Sequence, residues 1–340
     1  MDFSLLYFAN REVTDPPSEY DLLIEAARFA DQRGFTAVWL PERHFHPFGG
    51  AYPNPALAAA ALAPQTTRIR LRAGSVVLPL HDPVTVVEDW SFIDNLSRGR
   101  VDIALATGWN ANDFALAPER FAARHQYTTD NIETIRSLWA GRPVSRVNGE
   151  GAVTEILTYP RPVQPAPGLW LTAAARAETF AAAGACGTNV LTALLFQSVD
   201  ELASKIEVYR AARKEAGHDP ATGVVTLMVH TFVGADDAEV RETVREQFTA
   251  YLESSIDLWK SRMVELREPD RAKLARYAFE RYYRTAAMFG SVDRCARFAT
   301  RLADAGVDEV ASLIDFGLLG PTVLAALPYL DQVRARIQGR

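Results

Sequence analysis

The chain has 340 residues and a mass of 37.5 kDa, with 48% apolar and 23% charged side chains. A chain of that length buries about three quarters of its unfolded surface unaided, so this composition excludes a disordered tail, a collagen-like fibre and a disulfide scaffold. Thirty-six Lys and Arg against 42 Asp and Glu leave a net charge of −6, which offers no basic field for nucleic acid or an anionic membrane surface.

Short β-type runs at 3–9, 37–40, 69–78, 101–107, 169–173, 189–195, 224–233 and 309–316 alternate with longer helical patterns. Several runs are continuously apolar, as in parallel strands buried on both faces. Between the first two, Ser18 leads a pattern of Leu22, Leu23, Ala26, Ala27 and Ala30 that Gly34 ends. Along the third run, Arg68, Arg70 and Arg72 alternate, which reads as one solvated strand face. Asp82-Pro83 predicts a helix start, with the carboxylate capping free amides and Pro tolerated in the first turn. Residues 141–168 are rich in Pro and Gly and read as an irregular loop or short hairpin. Residues 177–183, closed by Gly184, and 198–216, closed by Gly217, read as helices. Residues 236–290 are too long for one crossover and predict a helical insertion after the seventh strand. Eight βα units without a clear break predict an α/β fold, a (β/α)₈ TIM barrel spanning 1–340 as one domain.

Cys186 and Cys295 stand alone and far apart, which suits a reducing compartment. The start, Met1-Asp2-Phe3, lacks the basic and apolar regions of a signal peptide. No apolar run reaches the roughly 18 residues of a membrane span. A soluble cytoplasmic protein is expected.

Barrels of this type carry their sites on the loops after the strands. The second such loop is the densest, with Glu42, Arg43, His44, Phe45, His46 and Phe48 close together. Histidine titrates near neutral pH and suits proton transfer. His218 and His230 stand alone and read as structural residues.

Gly34-Phe35, Val38-Trp39-Leu40, Glu42, His44-Phe45, Phe48-Gly49 and Asn54-Pro55 resemble the start of the bacterial luciferase-like flavin monooxygenases. The resemblance continues through Val77-Leu78-Pro79, His81-Asp82-Pro83-Val84, Glu88-Asp89 and Asp94-Asn95-Leu96-Ser97-Arg98-Gly99-Arg100, and returns at Phe289-Gly290-Ser291. Gly108-Trp109-Asn110-Ala111-Asn112-Asp113-Phe114 and Leu171-Thr172-Ala173-Ala174 are similar to the branch linked to natural-product biosynthesis.

The resemblance implies a luciferase-like TIM barrel that binds FMN and uses it as FMNH₂ with dioxygen. In that family a flavin C4a-hydroperoxide transfers oxygen to an organic substrate, here a small molecule or a carrier-bound biosynthetic intermediate. It further implies a catalytic role for His44, with Glu42 and Asn10 orienting polar groups near the flavin ring. Gly74-Ser75 occupies the place of the family's non-proline cis peptide. Phe8 and Trp109 would help to keep water out, with Thr107 and Gly108 at the same strand end. Relatives bind phosphate after the fifth strand, where this chain has Ala174, Ala175 and Arg176. The usual hydroxyl is missing there, and Arg124 and Tyr127 would compensate. The family also implies a homodimer.

No G-x-G-x-x-G follows a strand and opens a helix, so reduced flavin is expected from a separate flavin reductase. Two other readings stand beside this one. A coenzyme F420-dependent oxidoreductase has the same fold. A metal-dependent barrel hydrolase would use His44, His46 and Asp315, yet the ends of strands four to six supply no further ligand, and no metal is expected.

Overall fold

The computed structural model describes residues 1–8, 16–47, 49–174, 176–195, 197–259 and 268–339. Along the chain run β1 (Asp2–Leu6), α1 (Pro16–Arg33), β2 (Ala37–Leu40), α2 (Pro55–Leu62), β3 (Arg70–Val77), α3 (Pro83–Ser97) and β4 (Val101–Ala106). Next come α4 (Arg124–Trp139), β5 (Val144–Val147), β6 (Val153–Ile156), β7 (Gly168–Thr172), α5 (Ala177–Ala185), β8 (Asn189–Ala193) and α6 (Val199–Glu215). The carboxyl-terminal part holds β9 (Val225–Gly234), α7 (Asp237–Trp259), α8 (Glu268–Thr285), β10 (Met288–Ser291), α9 (Val292–Asp304), β11 (Glu309–Leu313) and α10 (Gly320–Ile337).

Strands β1, β2, β3, β4, β7, β8, β9 and β11 pair in parallel in that order, and β11 returns to β1 to close the barrel. This is the expected eight-stranded barrel. β5 and β6 form a separate antiparallel hairpin inside the Pro- and Gly-rich segment. β9 is twice as long as its neighbours need. Its first half pairs with β8 and β11, while Thr231 to Gly234 pair with β10. The segment expected to be a helical insertion therefore supplies two helices and an added strand; residues 260–267 of it lie outside the described residues.

Local chemistry sets several helix ends. The Asp82 carboxylate accepts the Val84 amide at 2.8 Å, with Pro83 behind it. Ser198 and Glu201 cap α6 reciprocally. Gly34 adopts φ +80° past the end of α1, a conformation that costs a side chain energy. Two boundaries depart from expectation. α1 begins at Pro16, before Ser18. Gly184 does not end α5 but lies within it, because a Cβ there would come 2.5 Å from the Tyr209 carbonyl oxygen on α6. Close helix packing, not chain reversal, explains that glycine.

The alternating arginines also depart from expectation. Arg72 is only 5% exposed and points into the barrel. Its guanidinium packs against the rings of Trp39 and Trp170, 4.9 and 4.6 Å from their centroids. It donates to Asp102 at 2.8 Å and to Glu309 at 2.7 Å. Asp102 also accepts from Arg70 at 2.5 Å, and Glu309 accepts from Trp39 Nε1 at 3.0 Å and from the Ser4 hydroxyl. A barrel interior shows the same two-residue alternation as a solvated face, so spacing alone misassigns Arg72.

Removing one member of a buried ion pair leaves an uncompensated charge, a loss of about 3–5 kcal/mol. Arg72→Met is expected to lower the unfolding free energy by that order, read from the urea midpoint. The triple change with Asp102→Asn and Glu309→Gln is expected to recover part of it. An unchanged midpoint in the single variant would show the network to be dispensable.

Candidate functional site

β2 ends at Leu40, and the chain turns through Pro41 into the polar loop, with Phe45 at φ +54°. The Glu42 side chain is fully buried. One carboxylate oxygen faces His44 Nε2 at 2.8 Å and His81 Nε2 at 2.6 Å, and the other accepts the Val77 amide at 2.8 Å. An ionised carboxylate only accepts, so both imidazoles carry hydrogen at Nε2. A neutral His44 then keeps its lone pair at Nδ1. Burial opposes ionisation of Glu42, but His44, His81 and the Val77 amide outweigh it and hold the carboxyl below its ordinary value. Burial likewise disfavours a charged His81, and the hydrogen bond and charge of Glu42 reverse this, raising its pKa.

Arg43, next in sequence, is buried with its guanidinium 5.1 Å from the centroids of both Phe8 and Trp109. Burial pushes its pKa down, and the charge of Asp113 opposes that shift. Asp113 is in turn raised, first by burial, and accepts from Asn110 Nδ2 at 2.7 Å.

A cavity of about 250 Å³ opens at the carboxyl ends of the strands. Its wall includes Phe8, Arg43, Gly74, Ser75, Trp109, Thr172 and Ala174 from the strand ends, with aliphatic side chains of β8 and residues of β9, α7 and α8 beyond. The Gly74–Ser75 peptide is cis, as expected for that position. A Cβ on Gly74 would lie 3.1 Å from that of Trp39, so the backbone is packed against the indole side chain. The Ser75 and Thr172 hydroxyls share a hydrogen bond of 2.5 Å across the cavity wall.

Of the residues singled out by sequence, Phe8, Gly74, Ser75, Trp109 and Ala174 meet at this cavity. Glu42 and His44 flank Arg43 on the same loop. Thr107 and Gly108 follow β4 outside the cavity wall, and a Cβ on Gly108 would strike the Phe114 ring at 2.8 Å. Arg124 does not reach the cavity; it donates to the carbonyls of Gly108 at 3.2 Å and Phe121 at 2.7 Å. Tyr127 donates to the His81 carbonyl at 3.0 Å and so braces the loop that presents His81. Arg176 precedes α5 with its side chain 71% exposed, beside Glu178. Asn10 and Ala175 lie outside the described residues.

Sequence reasoning gave no role to several side chains found here. His81 sat in a noted motif, and the need of a buried Glu42 for donors would have found it. His125 is another: burial lowers its pKa, and the charges of Arg124 and Arg176 lower it further. Arg176 stands at the start of α5, which has no side-chain cap. Tyr251 comes from an inserted helix and carries no local signal. Asp315 is engaged by the Phe8 amide at 2.8 Å. Among the described residues, no three His, Cys, Asp or Glu side chains converge as metal ligands.

The family described as luciferase-like monooxygenase matches residues 1–309. The chain belongs to that family. The oxygenase component of a flavin-dependent trigonelline monooxygenase from Acinetobacter baylyi is 30% identical over 259 residues, covering 74% of this chain and 70% of the relative. An F420-dependent hydroxymycolic acid dehydrogenase of Mycobacterium tuberculosis is 28% identical over 237 residues, covering 68% and 64%. In structure, the oxygenating constituent of 3,6-diketocamphane monooxygenase from Pseudomonas putida, a type II Baeyer–Villiger enzyme in complex with FMN, superposes with a TM-score of 0.81. It is 18% identical, covering 100% of this chain and 98% of that one, and shares the fold. Family membership makes this chain an enzyme of the flavin-dependent monooxygenase type. No helix among the described residues is long and apolar enough to cross a membrane.

The Glu42 cluster gives stability a definite pH dependence. A depressed Glu42 contributes fully above its ordinary 4.5 and loses that contribution as pH falls through its lower folded value. A raised His81 contributes fully below its ordinary 6.5 and loses that contribution as pH rises through its higher folded value. Thermal midpoints are expected to be highest between pH 4.5 and 6.5, where both contributions are complete. Glu42→Gln is expected to lower the midpoint there and flatten both flanks, and a parallel pH profile in that variant would refute the assignment.

Proposed function

We propose that this chain is the oxygenase half of a two-component monooxygenase. It would use FMNH₂ from a separate flavin reductase, with dioxygen, on an organic biosynthetic intermediate, either free or carrier-bound. The observation that carries this reading is the buried Glu42–His44–His81 cluster standing beside a largely apolar cavity at the strand ends. The residues present fit a flavin. Gly74, Ser75 and Ala174 offer small side chains along one wall, and the uncapped start of α5 at Arg176, with Arg124 held to the Gly108 carbonyl after β4, would take the phosphate group. When bound, reduced FMN would supply the electron pair that activates dioxygen.

The chain's own residues would do the rest. Apolar walls exclude water, which strengthens every electrostatic contact inside. His44, held by Glu42 through Nε2, has Nδ1 free to take or return a proton at the oxygenated centre. The Glu42 charge steadies the imidazolium when it forms. His81 holds the carboxylate and Tyr127 holds the His81 loop, so both act through Glu42 as positioning residues. Exposed Leu57, Phe92 and Leu96 on α2 and α3 support a homodimer as the working form.

Turnover with enzymatically reduced FMN under ¹⁸O₂ is expected to place label in the organic product. His44→Ala is expected to cut that incorporation by about a hundredfold or more while flavin binding persists. The F420-dependent relative motivates the opposing arm: oxygen-independent turnover with reduced F420 would overturn the proposal.

The phosphate assignment has its own check. Arg124→Gln and Arg176→Gln are each expected to weaken FMN binding by about tenfold and leave riboflavin binding unchanged, since each charged contact is worth about 1.5–3 kcal/mol. Equal weakening of both ligands would move the phosphate elsewhere.

A further inference from the structure

Four arginines among the described residues are buried: Arg43, Arg72, Arg213 and Arg334. Three of them have their donors met by oxygen. Arg72 reaches Asp102 and Glu309, Arg213 the Thr188 carbonyl at 3.1 Å, and Arg334 the Asp331 carboxylate at 2.9 Å. Arg43, 7% exposed, is the exception. Its Nε is sealed from solvent without a partner, and no oxygen of the described residues accepts from its guanidinium. Buried polar groups are ordinarily paired, and a buried charge above all.

The side chain is nonetheless held in place at the cavity. The Arg43 amide donates to the Tyr52 carbonyl at 3.0 Å. A Cβ on Gly49, at φ +80°, would lie 3.0 Å from Arg43 Cγ, so the loop closes down on the aliphatic stem. The head lies 5.1 Å from the ring centroids of Phe8 and Trp109, and all three residues line the cavity. Rings attract a cation but offer no oxygen to its N–H edge. Asp113 acts on Arg43 through its charge alone, and its carboxylate accepts from Asn110 instead. The other titratable groups of the described wall are neutral. Burial drives His230 down to about 3 and raises the phenols of Tyr251 and Tyr282. Arg43 therefore carries the single charge of that wall, and no acid stands in the wall to answer it.

A lone cation with unused donors selects its ligand by charge and shape. A carboxylate brings one negative charge and two coplanar oxygens, which match the guanidinium fork. A phosphate dianion would need a second cation, a neutral molecule would leave the charge unanswered, and an ammonium would be repelled. We propose that Arg43 binds the carboxylate of a monoanionic organic substrate whose remainder lies against the apolar wall at Leu194, Met228 and Leu252. This rests on reading the cavity as the substrate chamber, and it narrows the substrate to molecules with a free carboxylate. Arg43 and His44 are neighbours in the chain, so one loop both anchors the substrate and presents the imidazole.

The test measures binding, not turnover, so it succeeds or fails independently of the ¹⁸O₂ experiment. Calorimetric titration of the full chain, with and without oxidised FMN, compares phenylacetate, phenylacetamide and 2-phenylethylammonium as probes. The wild-type protein is expected to bind the carboxylate at least about tenfold more tightly than the amide of the same shape, in either state. The ammonium is expected to bind most weakly. Arg43→Met is expected to remove the carboxylate preference while amide and FMN affinities stay unchanged, which shows that the cavity is intact. Arg43→Lys, which keeps the charge without the fork, is expected to retain part of the preference. Stability supplies a second readout. Arg43→Met breaks no hydrogen bond, so its urea midpoint without ligand is expected to be no lower than that of the wild type. Phenylacetate is expected to raise the wild-type midpoint and not that of the variant. Equal affinity for acid and amide, or a preference that survives in Arg43→Met, would overturn the assignment. A preference abolished by FMN, or FMN affinity lost with Arg43, would also overturn it by giving the cation to the cofactor. A lowered midpoint in Arg43→Met would overturn it too, by making Arg43 a scaffold residue like Arg72.

Discussion

A guanidinium sealed from water must have its charge and its donors met by protein, and Arg72 imposes that condition on the base of the barrel. Asp102 and Glu309 meet the charge, and Trp39 and Trp170, set edge to face, both pack against the guanidinium. Each of those partners is itself tied to a further strand. Trp170 donates to Thr226 at 3.1 Å, and Asp102 accepts the Gly168 amide at 3.1 Å. Side chains from β1, β2, β3, β4, β7, β9 and β11 are thereby locked in one layer. Such a layer leaves little latitude for register, because a one-residue slip would carry Arg72 out of reach of both carboxylates. It also fills the amino-terminal end, so the cavity can open only at the other.

The same electrostatic rule operates at that other end with a different outcome. The Glu42 side chain is as deeply buried as that of Glu309, and it too has collected several donors. Two of its donors are imidazoles. Arginine keeps its proton at any pH the protein meets, so the lower network is fixed. Imidazole, unlike guanidinium, can give up a proton in the physiological range, so the upper cluster is of the kind the proposed proton transfer needs. The difference between scaffold and chemistry in this fold is the choice of cation beside a buried carboxylate.

That distinction explains what could be read from the sequence. The eight apolar runs survive as barrel strands with ends shifted by only a few residues, and Asp82 and Ser198 cap helices, because those signals are local. Glu42 and His44 were legible as a dense polar loop after a strand. Arg72 was misread because a two-residue period is the same inside a barrel and on a wet face, and only the carboxylates of β4 and β11 decide between them. Gly184 was misread in a similar way, since its reason lies on α6. His81 and Tyr251 come from a loop and a helix far along the chain, and no window of sequence holds both partners. Their roles appear only once the barrel has closed.

How the inserted segment is attached bears on what it does. β10 continues the sheet beyond the barrel by pairing with the last four residues of β9. The Asp237 carboxylate at the start of α7 accepts the Ser291 amide at 2.6 Å, and Tyr283 on α8 donates to the Asp237 carbonyl at 3.0 Å. Arg294 covers the Tyr283 ring at 4.4 Å. These bonds join the beginning and the end of the segment to the same strand that carries His230. Tyr251 and Tyr282 therefore hang from a continuation of the barrel sheet and meet His230 in a set geometry, not from a tether with its own freedom. Glu42 and His44 belong to the barrel loops, whereas Tyr251, Leu252 and Tyr282 of the cavity wall belong to the insertion. Changes in α7 and α8 can then alter which molecule is held without disturbing the carboxylate that holds the proton-carrying ring.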